Sequence, residues 1–173
     1  MAQADGSIQH LPSKLARLTF VRTYDAPADQ VWAAITDPEK IAAWWAVAEQ
    51  LDLTGGGRFV LRWLNSDEEG YQPVATGRIS ALDPGRIIEY NTDVFGALRF
   101  VLAPADDGGT KLTFTSTLPL SPSWEAKMLA GWHWRFDALA DALKGQAVDW
   151  THWPLAEWVA HRRRYADKLS WGG

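Results

Sequence analysis

The chain has 173 residues, a net charge of −4 at pH 7 and no cysteine. That length suits one domain that buries its own core without staples. The missing cysteine removes disulfides, thiolate chemistry and thiolate-bound zinc, and the mild negative charge gives no footing for nucleic acid or an anionic membrane. Eleven tryptophans are the oddity of the composition. Residues 1–14 are polar and aperiodic and read as a loose tail without the basic start and apolar stretch of a signal peptide. The longest apolar run, IAAWWAVA at 41–48, is too short to span a bilayer. A soluble, cytoplasmic, single-domain protein is the expectation.

LARLTFVRTY, 15–24, alternates as a strand. In APADQVWAAIT, Pro27 and Asp29 mark the first turn of a helix, and in TDPEK Asp37 and Pro38 repeat the device. Two short helices with a bend at 36–38 follow, the second carrying Trp44 and Trp45. LDL is a short strand, and RFVLRWL, 58–64, puts Phe59, Leu61 and Trp63 on one face. VATGRISAL runs into the turn DPG at 83–85, then RIIEYNT and ALRFVLA lead to the turn APADDGG. TKLTFTSTL, 110–118, places Leu112, Phe114 and Leu118 on one side and three threonines on the other. Strands in series with short turns imply an antiparallel sheet. A long helix from Pro122 or Ser123 to Lys144 carries the stripe Met128, Trp132, Phe136, Leu139 and Leu143. Gly145 suits its C′ position. Gly131, costing roughly 1 kcal/mol against alanine in mid-helix, implies close approach of another element. A last amphipathic helix starts at Pro154.

The segment APADQVWAAITDPEKIAAWW resembles the opening signature of the START-like, SRPBCC superfamily, and within it the branch named after the activator of Hsp90 ATPase (AHSA1-like). The matching positions are Pro27, Val31, Trp32, Ile35, Thr36, Asp37, Pro38, Ile41, Trp44 and Trp45. GGGRF, GRISALDPGRII, TKLTFTS and GWHWRFDALADAL resemble the family's later blocks, in order, over about residues 15–144. The resemblance implies an α+β helix-grip fold: a curved antiparallel sheet wrapped around a long C-terminal helix, with a cavity between them. The chain then divides into the tail at 1–14, the helix-grip domain at 15–144 and a C-terminal helical extension at 145–173.

On that fold Trp63, Trp132 and Phe136, with Phe59, Leu61, Phe114 and Met128, are expected to line an aromatic cavity, and Trp45 to face its mouth; the bland alternative is a filled core. Ser116 lies on the same face as Phe114 and would offer one hydrogen bond. Glu89 and Asn91 take positions where the family commonly has large apolar residues. If they face inward, Glu89 is a ligand-orienting group or general base, partnered by Arg78 or Arg99. In the opposite register Ile88 and Tyr90 are inside and Glu89 is in solvent. The four histidines show no paired ligand spacing, so no metal is expected, and no cofactor. HRRRY, 161–165, reads as a solvated helix face or a docking patch. Trp150, Trp153, Trp158 and Trp171 lie beyond the family core; they either pack back on the domain, over the cavity, or bury against a second subunit in a homodimer. The reading ranks first a binder of a small hydrophobic or aromatic molecule. Second comes a cyclase- or hydrolase-type enzyme using a cavity carboxylate, and third a chaperone-associated protein-binding module.

Overall fold

The computed structural model describes residues 3–66 and 69–170. The strands are β1 (Ser7–His10), β2 (Leu15–Tyr24), β3 (Ala46–Leu51), β4 (Arg58–Trp63), β5 (Val74–Asp83), β6 (Ile87–Thr92), β7 (Gly96–Pro104) and β8 (Thr110–Pro119). They form one antiparallel sheet in the order β1-β2-β8-β7-β6-β5-β4-β3. Strands β3 to β8 are a meander, and β2 closes onto β8 through ten paired positions from Leu15–Pro119 to Tyr24–Thr110. Helices α1 (Ala28–Thr36) and α2 (Pro38–Ile41) carry the chain from β2 to the far edge of the sheet at β3. The long helix α3 (Pro122–Ala142) covers the inner face, and α4 (Leu155–Ser170) packs behind it.

The two-residue alternation does the work expected of it: Leu112, Phe114, Ser116 and Leu118 of β8 are buried, with Phe59, Leu61 and Trp63 of β4. Helix α3 departs from a single stripe. Every residue from Leu129 to Leu139 except Asp137 is buried, because α4 covers the side that an exposed helix would leave to water. Gly131 explains itself there. A Cβ would lie 3.0 Å from Nη1 of Arg135 and 3.8 Å from Nε1 of Trp158. Gly145 takes φ +84°, the left-handed conformation of a helix C′ residue.

Two expectations change. The segment read as a loose tail contributes β1, paired to β2 from Ser7–Thr19 to His10–Ala16. Gly6 lies against the Phe20 ring and donates its N–H to the Tyr165 hydroxyl at 2.8 Å. And α2 ends at Ile41, so Trp44 and Trp45 sit in the turn before β3 rather than on a helix. What Trp44 does there follows from Pro38, the first residue of α2. It has no N–H to give the Ala34 carbonyl one turn back. The Trp44 indole donates to that carbonyl instead, at 2.8 Å, and the Tyr90 hydroxyl donates to the next, Ile35, at 2.8 Å. Trp44 is thus a side-chain cap for the broken end of α1. Trp45 points into the centre of the core, with ring centroids 5.4–5.8 Å from Trp63, Phe100, Trp132 and Tyr90.

Candidate ligand pocket

The space between sheet and helix is largely filled. Trp45, Phe59, Leu61, Phe114 and Phe136 are at most 1% exposed. Phe114 and Trp132 close the middle with ring centroids 4.3 Å apart. Of the residues expected to line a cavity, Trp63, Met128 and Trp132 reach an open one. That pocket lies where β4, the β4–β5 loop, the β6–β7 turn, the stretch of α3 from Trp124 to Arg135 and the tail converge. Its volume is about 310 Å³, at the low end of the roughly 300–1,000 Å³ typical of ligand sites.

Each wall has a local cause. On β4, Trp63 points inward by alternation and stacks on Phe95 at 4.7 Å. Phe95 is set by the β6–β7 turn, where its N–H donates to Oγ1 of Thr92 at 2.8 Å, and Thr92 Oγ1 donates to the Gly96 carbonyl at 2.9 Å. Gly96 needs φ +66°, and a Cβ there would meet the Thr117 carbonyl at 2.0 Å. Buried Ser116 serves this turn and no cavity, donating to the Phe95 carbonyl at 3.3 Å. The back wall is the tail. Trp150 donates to the Ala42 carbonyl at 2.8 Å, and Trp150 and Trp153 meet the Trp134 ring at 5.9 and 5.4 Å. Trp153 and Trp158 then line the pocket. These three tail tryptophans find their partners inside the chain, which removes the reason for expecting a second subunit; Trp171 lies outside the described residues. Tyr71, Val94 and Trp124 form an exposed rim.

Arg135 is the residue that a stripe of apolar positions did not reveal. It is 5% exposed and lines the pocket. Nη1 donates to the Gly131 carbonyl at 3.0 Å and Nη2 to Oδ1 of Asn65, while Nε has no partner. Its carbon Cζ stands 5.7 and 5.5 Å from the ring centres of Trp63 and Trp132. No described carboxylate lies within ion-pair distance, and burial pushes its pKa down to about 9. Two desolvated cation–π contacts contribute about 2 kcal/mol each. Burying the charge costs several kcal/mol, so the indoles offset only part of it.

Glu89 and Asn91 face away from the pocket. Ile88 and Tyr90 are the buried residues of β6, so the opposite register is the one realised. Glu89 accepts from Ser80 Oγ at 2.7 Å and pairs with Arg99 at 3.3 Å on the outer face. Arg78 bonds the Gly56 carbonyl instead.

Folding also joins histidines that no sequence spacing linked. Ligand atoms of His133, Asp137 and His161 lie within 4.8 Å of one another. Nη2 of Arg164 stands 3.4 Å from Nδ1 of His133, and burial together with Arg22, His161 and Arg164 pushes the His133 pKa down to about 3. A cation would enter an already positive neighbourhood. The cluster reads as the polar seam joining α3, α4 and the N-terminal segment: His133 Nδ1 and the Tyr165 hydroxyl are 2.7 Å apart, and Asp5 accepts from Arg164 at 2.7 Å and Lys168 at 3.3 Å.

A curved antiparallel sheet closed on one long helix defines the helix-grip class. Within it, the chain belongs to the activator of Hsp90 ATPase homolog 1-like (AHSA1) family of the SRPBCC superfamily, whose model matches residues 25–144. Among solved structures it is similar to CalU16 of Micromonospora echinospora, at 22% identity and a TM-score of 0.69 over 100% of this chain and 99% of that one. It is also similar to a protein of Arthrobacter aurescens, at 19% identity and a TM-score of 0.66 over 80% of this chain and 91% of that one. At those identities the likeness shows the fold. An uncharacterized protein of Schizosaccharomyces pombe is 30% identical over 110 residues, 57% of this chain, which spans a third (33%) of that relative's length. No helix among the described residues is long and apolar enough to cross a membrane.

Proposed function

We propose that this protein binds a small apolar or aromatic molecule in the pocket between sheet, α3 and tail. The observation that carries the reading is a cavity of about 310 Å³ walled by Trp63, Phe95, Trp132, Trp153 and Trp158, beside a core in which Trp45, Phe59, Phe114 and Phe136 are at most 1% exposed. Indole and phenyl faces give large contact area at low conformational cost. An enzymatic role for Glu89 loses its support with the outward register. For a chaperone-partner role the basic run leaves Arg163 exposed, while Arg162 lies 5.0 Å over the Trp158 ring and Arg164 is held by Asp5.

The test is isothermal titration with neutral 2-naphthol. Saturable one-to-one binding is expected, and Met128→Trp, which fills the pocket from a half-buried position, abolishes it without lowering the melting temperature. Absence of binding by the natural sequence at millimolar probe, or equal binding by the filled variant, overturns the reading.

A further inference from the structure

We propose that the pocket selects a planar aromatic carboxylic acid, whose carboxylate pairs with the buried guanidinium of Arg135 and whose rings lie against Trp63 and Trp132. This rests on the pocket being a ligand site and adds the class of ligand. Three observations meet at Arg135. It is 5% exposed and forms part of the cavity wall. Of the five N–H donors a guanidinium carries, one hydrogen bond goes to Gly131 and one to Asn65, both neutral acceptors, and Nε is left unpartnered. Buried charges are ordinarily paired, and a carboxylate is the group whose two oxygens match the guanidinium fork.

The charged residues lining the pocket are Lys127, Arg135 and Arg162 against Glu69 among the described residues. Lys127 lies 4.6 Å over the Trp124 ring at the rim and Arg162 5.0 Å over Trp158. Only Arg135 among the three cations is buried. A phosphate monoester, with nearly two charges at neutral pH, would leave one of them facing indoles. A carboxylate is matched by one guanidinium. Gly131 gives this geometry its room, because a Cβ there would stand 3.0 Å from Nη1 of Arg135.

The experiment compares naphthalene-2-carboxylate with naphthalene-2-carboxamide, of nearly the same shape and without charge, by isothermal titration at pH 7. The acid is expected to bind the natural sequence about tenfold or more tighter, the scale of a hydrogen bond to a charged group. Arg135→Met should erase that preference by weakening the acid alone, and Arg135→Lys should restore part of it. Arg135 has no described carboxylate partner, so Arg135→Met strands no buried counter-charge, and the acid-to-amide ratio of the unaltered protein needs no variant. Equal affinities for acid and amide there, or a preference surviving in Arg135→Met, overturn the carboxylate assignment while leaving the pocket intact. Failure of acid, amide and 2-naphthol alike overturns both.

Discussion

The carbonyl of Ala34 is buried, has lost its helical donor to Pro38 and takes its hydrogen bond from the Trp44 indole. The indole N–H of neighbouring Trp45 is equally buried and has no partner. Replacing either tryptophan with phenylalanine removes similar volume from the core, but the polar consequences are opposite. Trp44→Phe strands an acceptor, which costs about 1–3 kcal/mol; Trp45→Phe deletes an unsatisfied donor. Urea unfolding should therefore find Trp44→Phe the more destabilising by about that amount, and equal costs would contradict the capping role. The adjacent tryptophans were conspicuous in the sequence. Their division of labour was not, because it depends on where α2 stops, and Ile41 to Ala46 has no breaker to mark the point.

Helix α3 is held between two environments: apolar toward the sheet and polar toward α4. The polar seam makes stability depend on pH. His133 is kept neutral in the fold, its pKa pushed from 6.5 to about 3 by burial and by Arg22, His161 and Arg164, with Asp5 opposing. The unfolded chain takes up that proton near pH 6.5, so between about 6.5 and 3 the unfolded state binds more protons and stability falls as pH falls. His161, also pushed down by burial and Arg164, adds in the same direction. Asp137, pushed up by burial, works oppositely: its protonated form is favoured in the fold, and that contribution fades as pH rises above the ordinary carboxyl range. Melting temperatures measured from pH 7 to pH 4 should drop, and His133→Gln should flatten the slope. An unchanged slope would place the acid sensitivity elsewhere.

At the scale of the molecule, the strands, α3 and the order of blocks were legible because alternation, the turn DPG and the stripe from Trp132 to Leu139 are local signals. The pocket was legible only in part, since its walls come from four separated stretches: β4 with its loop, the β6–β7 turn, α3 and the tail. Trp63 and Trp132 announced themselves. Arg135, beside the stripe, reads as an exposed helix residue until Trp63 and Asn65 are known to pack against it. The facing of β6 is set by its neighbours, with Ile88 paired to Phe100 and Tyr90 to Leu98 of β7, and alternation within β6 alone leaves either face open. The tail that completes the pocket is itself tied to the other end of the chain. Helix α4 offers Trp158 to the cavity, and about two turns later Tyr165 accepts the amide of Gly6. A molecule seated against Trp158 is expected to steady Gly6 through α4, and since binding equilibria are reciprocal, a change that loosens Gly6 is then expected to cost affinity. The Gly6 amide, which lies outside the pocket's lining, becomes a reporter: its exchange with heavy water should slow when 2-naphthol is bound and return to its original rate when the probe is washed out.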